Sequence, residues 1–342
     1  MGVVQFGIIA CSSVARRRFL PALKLAGGAQ LASIGSRDPV KAARFAQEFS
    51  APRHGTYEDV LADPQINAVY ISTPPPLHAE WVHRAAAARK HVLCEKPAFG
   101  SSAGALQAVN ACRAAGVRLL EGYAFKYHPQ HAHVRALVAE GRIGAPRFFS
   151  AQFTYPRPAE NDIRLNPELA GGVFHDSAVY PVASALMHLP GVPVSVSCMQ
   201  SRDAESGVDD ACSITLQFSG GEIANLYAGF GVNYRSRYAI AGTTGRIELE
   251  RAFAVPPESK AVITLETNTA SETISIGGAD QFRLMIEDFA AQISRSAGGS
   301  PASSSVPVSD YETDLLRMQV VMDAAAQSAR ERRIIEINLK KL

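Results

Sequence analysis

The chain has 342 residues, of which 47% are hydrophobic and 19% charged, which is enough apolar material for two domains with their own cores. Its 34 basic and 32 acidic residues leave a net charge of +2 without a basic stripe, so nucleic acid is not an expected partner. No apolar run reaches about eighteen residues, and no basic segment precedes the first apolar stretch. We therefore expect neither a membrane span nor a signal peptide, and a cytoplasmic location.

The cysteines form an odd set without a Cys-x-x-Cys pair. They are Cys11, Cys94, Cys112, Cys198 and Cys212. This pattern predicts reduced thiols and no zinc or other metal site.

The amino-terminal segment predicts a strand, a tight loop and a helix. Residues 3–9 are β-prone, and residues 10–23 carry apolar side chains at helical spacing. Loops of this kind normally contain glycines that let the backbone approach a pyrophosphate at a helix N-terminus. Here only Gly7 remains, and Ala10 stands where a further glycine is expected. These residues are candidate cofactor contacts, although the glycine fingerprint is incomplete.

Three small residues continue this loop. Ser12 also replaces an expected glycine, and Cys11 is a small neighbour at the strand end. The hydroxyls of Ser12 and Ser13 either cap the helix or reach a phosphate oxygen. All three residues are therefore candidate cofactor contacts.

The residues at the end of the second predicted strand, 30–36, indicate which cofactor is bound. An acidic residue there would bond the ribose 2′-hydroxyl, whereas an arginine suits a 2′-phosphate. Ser36 is followed by Arg37, which predicts NADP(H) in preference to NAD(H). The alternative is that Arg37 only caps a turn and Asp38 starts the next helix.

A third predicted strand, residues 68–72, leads into Thr73, Pro74 and two further prolines, and then into a helix from His78 to about residue 89. Prolines beyond a strand end form a rigid wall for a ligand, so we expect Thr73, Pro74 and His78 at the cofactor site. A histidine at a helix start that bonds nearby backbone is an equal alternative for His78.

The tripeptide Glu95-Lys96-Pro97 follows the predicted strand 91–94. A lysine just past the carboxyl end of a buried strand lies where open α/β sheets bind ligands. The proline restricts the backbone of Lys96 and allows a cis bond. Glu95 and Lys96 are therefore candidate cofactor and catalytic residues.

The remaining elements complete two domains. A helix at 101–115 and a strand at 117–121 bring the first part to five strands, which predicts a parallel doubly wound sheet. In the second part we expect mostly antiparallel strands, with a Gly220-Gly221 hairpin turn. The predicted helices are 129–140 and 311–328; the predicted strands are 148–155, 194–200, 211–218, 222–230 and 334–337; and residues 298–305 are expected to form a flexible surface loop.

Several motifs, each weak alone, jointly resemble one family. They are the amino-terminal loop, Ser72-Thr73-Pro74 with His78, the Glu95-Lys96-Pro97 tripeptide, residues 121–130 and residues 171–180. The chain resembles, over nearly its whole length, the glucose-fructose oxidoreductase, inositol dehydrogenase and rhizopine-catabolism (Gfo/Idh/MocA) oxidoreductases.

The resemblance implies an α/β protein of two domains. An NADP-binding Rossmann domain is expected at 1–122, and a substrate-binding and oligomerisation domain with a large, mostly antiparallel open sheet at 123–342. A C-terminal segment that packs back on the first domain is compatible with this division. The family also implies a homodimer or homotetramer, because a sheet face without helices is buried by another subunit.

The family motif after the glycine pair implies two catalytic residues. Asp176 and, four residues later, Tyr180 match it. Inositol dehydrogenases carry histidine at the second position, so Tyr180 resembles the ketoreductases, dihydrodiol dehydrogenases and glucose-fructose oxidoreductase-like members. Residues four apart on a helix project from one face, so both side chains can meet one substrate. Without the family, a tyrosine on so apolar a helix would most often be a core residue.

Our sequence-based hypothesis assigns the proton transfer to Tyr180. A nearby ammonium favours the phenolate form of a tyrosine, so Lys96 assists the transfer and stabilises the developing charge. Asp176 orients a substrate hydroxyl or fixes the lysine. Lys96 as the proton donor is the alternative assignment.

The substrate is the least determined feature. Residues 19–22, 234–245 and 250–253 resemble the branch that holds nucleotide-linked keto-sugar 3-reductases and sugar or dihydrodiol dehydrogenases. Arg164 and Arg235 either bind a sugar diphosphate or are ordinary surface arginines. Tyr123, in the 121–130 motif, is a further substrate-binding candidate.

The expected activity is therefore reduction of a nucleotide-linked 3-keto-deoxysugar with NADP(H). The alternative enzyme is an NADP-dependent dehydrogenase of free aldoses or trans-dihydrodiols. The alternative of another class is a non-catalytic dinucleotide-dependent sensor, which the retention of Lys96, Asp176 and Tyr180 disfavours.

Overall fold

The computed structural model describes residues 2–296 and 310–339. The chain forms two compact units, Met1–Tyr127 with Asp280–Leu316, and His128–Ala279 with Arg317–Leu342. The predicted loop 298–305 lies outside the described residues. The assignment of NADP binding to 1–122 and of substrate binding to 123–342 stays a prediction.

A six-stranded parallel sheet forms the first unit, which confirms the predicted doubly wound architecture. Its strands are β1 (Val4–Ile9), β2 (Ala29–Gly35), β3 (Arg53–Gly55), β4 (Ala68–Ile71), β5 (His91–Cys94) and β6 (Leu119–Glu121). They lie in the order β3-β2-β1-β4-β5-β6, so the winding reverses between β1 and β4. The five predicted strands are present. The prediction missed β3, because its three residues Arg53–Gly55 are not apolar and not buried, unlike those of the equally short β6.

Helices cover both faces of this sheet. They are α1 (Leu20–Leu25), which follows a π-helical turn (Ala15–Phe19), then α2 (Pro39–Phe49), α3 (Tyr57–Ala62), α4 (His78–Ala87) and α5 (Ser102–Ala115). Alternate residues of β1 enter different cores, Phe6 and Ile8 on one face and Ile9 on the other. Phe19 stacks on Tyr70 with ring centroids 3.6 Å apart. The strand ends are thereby held in place from both sides.

A nine-stranded sheet forms the second unit. Its strands are β7 (Pro146–Tyr155), β8 (Pro193–Arg202), β9 (Asp209–Phe218), β10 (Ile223–Phe230), β11 (Arg235–Gly242), β12 (Gly245–Leu249), β13 (Ala261–Thr267), β14 (Ser271–Ile276) and β15 (Ile335–Glu336). The helices in this part of the chain are α6 (Pro129–Ala139), α7 (Val173–Asp176), α8 (Val179–His188), α9 (Gln281–Ser296) and α10 (Tyr311–Glu331). Helix α9 belongs to the first unit, and α10 contributes residues to both.

The strand order of this sheet is β14-β13-β12-β11-β7-β10-β9-β8-β15. Among the described strand pairs of this nine-stranded sheet, only β7–β10 is parallel. This confirms a mostly antiparallel sheet. The predicted glycine turn is also confirmed, since Gly221 has φ +89° and its N–H donates to the Phe218 carbonyl at 2.9 Å. Strands β11 to β14 were not predicted.

The two faces of the large sheet differ. Phe149 on β7 packs toward His188 of α8, whereas its neighbour Phe148 points to the opposite face. That opposite face stays open in the described part of the chain. Its apolar side chains Phe148, Ile223, Tyr227 and Val262 are 36–47% exposed. An exposed apolar patch of this kind is typical of an interaction surface.

Gly7 generates a prediction about stability, because it lies in β1 rather than in the loop. An alanine Cβ there would lie 2.4 Å from Val60 Cγ1 and 3.0 Å from Ile66 Cδ1. Overpacking of this kind costs about 2 kcal/mol, so Gly7→Ala should lower the free energy of unfolding by roughly that amount.

The measurement is urea unfolding followed by the fluorescence of Trp81, the single tryptophan, which lies in the same unit. Val60→Ala is the matched second substitution, since it removes the methyl that an added Cβ would strike. The combined variant should lose less free energy of unfolding than the two single variants lose together. Simple additivity would show that the collision with Val60 is not the cause.

Candidate functional site

Four sequence-predicted regions meet at one edge of the parallel sheet. Ser12, Arg37, Thr73 and Lys96 follow β1, β2, β4 and β5, which are neighbours in the sheet. Because parallel strands end at the same edge, these loops surround the point where the strand order reverses. This is the position at which open α/β sheets bind ligands.

The loop after β1 approaches this edge closely. Ala10 has φ +86°, a left-handed backbone that costs an alanine about 1 kcal/mol and that a glycine adopts freely. Ser12 Oγ accepts from the Ala15 N–H at 3.0 Å and donates to Ser72 Oγ at 2.8 Å. Ser13 is exposed. Of the two roles foreseen for Ser12, the structure shows the helix cap.

All five cysteines are buried free thiols. Cys11, a candidate cofactor residue, has its sulfur 3.9 Å from the Gly35 carbonyl, and burial raises the pKa of this thiol. Cys94 lies fully buried at the end of β5, and burial raises its pKa as well. Both thiols therefore stay protonated and pack as small side chains.

At the end of β2, Ser36, Arg37 and Asp38 make different contacts. Asp38 caps α2, because its Oδ1 accepts from the N–H groups of Val40 at 2.9 Å and Lys41 at 3.2 Å. Ser36 Oγ accepts from the Asp38 N–H at 3.1 Å. Arg37 is exposed beside the Tyr57 ring, and its charge opposes the rise that burial causes in the pKa of Tyr57. The carboxylate at this strand end is thus held by the helix.

Lys41 is a cation that the sequence analysis missed at this place. It lies in the first turn of α2, four residues after Arg37, and its side chain is exposed. Lys41 lies close enough to Cys11 for its charge to lower the pKa of that thiol, which opposes the effect of burial. No pattern in the sequence distinguishes it from other exposed lysines.

The loop after β4 is tied to the loop after β5 by a buried histidine. His78 Nδ1 lies 2.9 Å from the Pro97 carbonyl, and Nε2 lies 2.8 Å from the Thr73 carbonyl. Burial lowers the pKa of His78. Bonding to backbone is the second of the two roles foreseen for this histidine. Pro74, next to Thr73 in the loop after β4, is half-buried.

One buried hydroxyl at this edge tests whether a dinucleotide fits. Thr73 is 5% exposed, and its Oγ1 has no hydrogen-bond partner within the described part of the protein. A buried hydroxyl without a partner is unfavourable unless a bound group satisfies it. Together with the close backbone at Ala10, it fits a phosphate- or ribose-bearing ligand.

Lys96 is held by its neighbours at the end of β5. The Lys96–Pro97 peptide bond is cis. Glu95 is buried, and its carboxylate accepts from the Tyr70 hydroxyl at 2.6 Å and from the Lys96 N–H at 3.3 Å. Glu95 thus anchors the Lys96 backbone, whereas a contact of Glu95 with the cofactor stays a prediction.

A second buried carboxyl, Glu121, was named only within a motif and not as a site residue. Its Oε1 accepts from the Ala98 N–H at 2.8 Å. Burial raises its pKa to about 7, although the Ala98 bond, Lys126, the Tyr123 hydroxyl and Lys96 oppose this rise. Tyr123 is 3% exposed and lies near this carboxyl, whose pKa its hydroxyl lowers, and its contact with substrate stays a prediction.

In the second unit, the single helix predicted through Asp176 and Tyr180 is wrong. Helix α7 ends at Asp176, and α8 begins at Val179. The N–H groups of Ser177 and Ala178 both donate to the Val173 carbonyl at 2.8 Å, which interrupts the regular pattern. The regular four-residue spacing therefore does not by itself place the two side chains together.

Strand β7 connects the surroundings of these two residues instead. The Tyr155 hydroxyl donates to Asp176 Oδ2 at 3.1 Å. Two residues earlier, Phe153 makes an edge contact with the Tyr180 ring at a centroid distance of 5.0 Å. Phe253 contacts the Tyr180 ring at a centroid distance of 5.8 Å and the Phe153 ring at 5.5 Å, so the three rings form one cluster. The Tyr180 ring thus packs against a pair of aromatic rings while its position stays half-buried.

The two candidate arginines lie in different places. Arg164 Nε donates to Asp176 Oδ2 at 2.8 Å, so the structure brings Arg164 and Asp176 together. Arg235 lies at the start of β11 with the same register parity as Arg237, which bonds Gln152 on the open face. That face is opposite the one that carries Tyr180. Substrate binding by Arg235 stays a prediction.

Comparison with known proteins places the chain in a family. Residues 4–123 match a model described as an oxidoreductase family with an NAD-binding Rossmann fold, and residues 131–248 match the GFO/IDH/MocA C-terminal domain. The chain belongs to the Gfo/Idh/MocA oxidoreductases. This confirms the predicted family, enzyme class and Rossmann fold.

Its relatives include sugar reductases and sugar dehydrogenases. It is 37% identical over 328 residues to a dTDP-3,4-didehydro-2,6-dideoxy-alpha-D-glucose 3-reductase of Saccharopolyspora spinosa, covering 96% of this chain and 98% of that one. It is 32% identical to a D-xylose 1-dehydrogenase (NADP(+)) of Haloferax volcanii, covering 98% and 100%. KijD10, a 3-ketoreductase from Actinomadura kijaniata solved with NADP and TDP-benzene, superposes with a TM-score of 0.88 at 31% identity, covering 95% and 97%.

Two further observations apply to the described residues only. Residues 2–296 and 310–339 contain no group of three or more His, Cys, Asp or Glu side chains placed to hold a metal ion. None of the helices that the structure describes is long and apolar enough to cross a membrane.

Proposed function

We propose that the chain reduces a nucleotide-linked 3-keto-deoxysugar with NADPH. The observation that carries this proposal is the similarity to a dTDP-keto-sugar 3-reductase over 96% of the chain. Lys96 at the sheet edge and Tyr180 against its aromatic pair support it, because a ketone reduction needs a proton donor and a cation for the developing negative charge.

Several residues at the sheet edge would hold the cofactor. The backbone at Ala10 and the unpartnered Thr73 hydroxyl suit the pyrophosphate and ribose, while Ser12 holds the loop by capping the helix. Arg37 and Lys41 would pair with a 2′-phosphate, since Asp38 is already engaged in capping α2. When bound, NADPH supplies a hydride to the carbonyl carbon of the substrate.

The chain supplies the proton and the electrostatic support. Tyr180 donates its hydroxyl proton to the carbonyl oxygen, which becomes the alcohol as the hydride reaches the carbon. The Lys96 ammonium stabilises the negative charge that develops on this oxygen and the phenolate that Tyr180 leaves behind. Asp176 accepts a hydrogen bond from a neighbouring sugar hydroxyl. The phenolate then takes up a proton from solvent, which completes the cycle.

Oxidation of a free aldose is the second candidate function. Full-length similarity to a D-xylose 1-dehydrogenase supports it, and the same residues would run the reaction in reverse with Tyr180 as base. The two candidates differ in whether a nucleotide must be attached to the sugar.

The first prediction from this proposed function concerns the substrate and Lys96 together. The wild-type chain should oxidise NADPH with a dTDP-linked 3-keto-deoxysugar far faster than it reduces NADP+ with D-xylose. Lys96→Met should lower kcat by about 100-fold or more, because the developing charge loses its cation, while the Kd for NADPH changes little.

Steady-state absorbance of NADPH and fluorescence titration measure the two quantities. Lys24→Met, at an exposed lysine on α1, is the matched control and should behave as wild type. Turnover that survives in Lys96→Met would refute the assigned role of this lysine. Turnover of D-xylose alone would favour the second candidate function.

The second prediction concerns the cofactor. Arg37→Ala should raise the KM for NADPH by about 30-fold, since a charge-assisted bond to phosphate contributes about 2 kcal/mol. The KM for NADH should stay within about twofold, because NADH has no 2′-phosphate. Arg44→Ala, at an exposed arginine on the same helix α2, is the control. Equal losses with both cofactors would assign Arg37 a structural role.

We also propose that the open face of the large sheet joins subunits of a homodimer or homotetramer. Its exposed side chains combine apolar groups such as Phe148 and Tyr227 with charged groups such as Arg246 and Glu250. A mixed patch of this kind is self-complementary across a two-fold axis.

The third prediction tests this face. Tyr227→Glu should convert the wild-type oligomer to monomer in light scattering after size exclusion, because a buried unpaired carboxylate opposes association. Tyr234→Glu replaces an equally exposed tyrosine in the loop before β11 and should leave the oligomer intact. A monomeric wild-type chain, or an oligomeric Tyr227→Glu variant, would contradict the proposal.

A further inference from the structure

One carboxylate oxygen of Asp176 accepts several hydrogen bonds from within the second unit. Its Oδ2 accepts from Arg164 Nε at 2.8 Å, from the Tyr155 hydroxyl at 3.1 Å and from Ser177 Oγ at 3.3 Å. These donors come from different parts of the second unit, the turn Ile163–Leu165, strand β7 and the end of α7. Their convergence on one oxygen fixes both the position and the plane of the carboxylate.

We propose that Arg164 is a positioning residue, which holds Asp176 ionised and oriented toward the substrate, and that it is not a ligand of the sugar diphosphate. This inference rests on the proposed function for the role of Asp176.

The guanidinium is shared by two carboxylates. Arg164 Nη1 lies 3.0 Å from Asp162 Oδ2, while its Nε bonds Asp176. One positive charge thus faces two negative charges, which raises the pKa of Arg164 and leaves the cluster net anionic. A diphosphate brought to this cluster would meet net repulsion. A neutral sugar hydroxyl, in contrast, meets an oriented acceptor.

The backbone fixes the arginine as firmly as the side chains do. Asp162 Oδ1 accepts from the Arg164 N–H at 2.9 Å, and the Arg164 carbonyl accepts from the Gly172 N–H at 2.8 Å. The glycine pair permits this approach, because an added Cβ at Gly171 would lie 2.6 Å from the Arg164 carbonyl oxygen. At Gly172, where φ is +101°, an added Cβ would strike Asp209. The glycine pair therefore serves to bring the arginine turn onto α7.

Tyr155 completes the arrangement from the sheet. Burial, together with the charge of Asp176, raises the pKa of this phenol, so it stays protonated and donates. Within this unit, the Arg164 guanidinium, with Asp162 behind it, and the hydroxyls of Tyr155 and Ser177 face the carboxylate. All of these donors favour the ionised form of Asp176.

A double-substitution cycle tests the inference on whichever sugar substrate the wild type turns over. Arg164→Gln should lower kcat about tenfold or more with the Kd for NADPH unchanged, and Arg164→Lys should recover part of the loss because it keeps the charge but not the planar fork. In an Asp176→Asn background, Arg164→Gln should change kcat less than twofold, since the arginine acts through the absent carboxylate. Independent, multiplicative losses would overturn the proposal.

Binding of TDP measured by calorimetry separates the two roles of the arginine. Arg164→Gln should bind TDP within about twofold of wild type; a tenfold loss would make Arg164 a diphosphate ligand and overturn the inference. Arg142→Gln is the matched control, because Arg142 pairs with Glu272 at 2.8 Å on an exposed surface of the same unit.

One measurement does not depend on turnover and so distinguishes failure of this inference from failure of the proposed function. Carbon-13 labelling of aspartate carboxyls gives a resonance for Asp176, identified by its loss in Asp176→Asn. In Arg164→Gln this carboxyl should titrate about one pH unit higher than in wild type, because it has lost its cation. An unchanged titration would overturn the inference even in a chain that reduces no keto-sugar.

Discussion

Two buried carboxyls, Glu95 and Glu121, constrain the sheet edge on which the first unit's candidate site depends. A buried carboxylate without partners costs several kcal/mol, so its position is determined by the donors that reach it. Glu95 takes the Tyr70 hydroxyl and the Lys96 N–H, and Glu121 takes the Ala98 N–H. These bonds lie on both sides of Pro97. The backbone that carries Lys96 is consequently fixed before any ligand binds.

Burial in this arrangement changes the ionisation of Glu121. Its pKa rises from the ordinary 4.5 to about 7 because it is buried, so the folded chain disfavours the ionised form. The stability that this residue contributes is therefore highest at acidic pH and falls as the pH rises from about 4.5 toward 7. A site that holds a lysine ammonium in a buried setting thus carries a neighbouring acid that is only partly ionised near neutrality.

The sequence predicted those features that depend on local pattern and strand order. The five more buried strands of the first sheet and the place of Lys96 follow from apolar runs and from the rule that parallel strands end at one edge. It did not reveal the break between α7 and α8, where the N–H groups of Ser177 and Ala178 both donate to the Val173 carbonyl, because no glycine or proline marks it in the sequence. Lys41 and Glu121 were missed for a related reason. Their significance comes from tertiary neighbours, and a lone lysine or glutamate carries no pattern.

The second unit shows why residue type alone could not assign the arginines. Arg164 and Arg235 are the same side chain with the same expected ligand, yet strand register puts Arg235 on the open face and the glycine pair draws Arg164 onto Asp176. With one guanidinium set between two carboxylates, the cluster at Asp176 is suited to a sugar hydroxyl, which nucleotide-linked and free sugars both possess. Discrimination for the nucleotide must then come from residues outside this cluster. This explains how one arrangement of Arg164, Asp176 and Tyr180 is compatible with both candidate substrates.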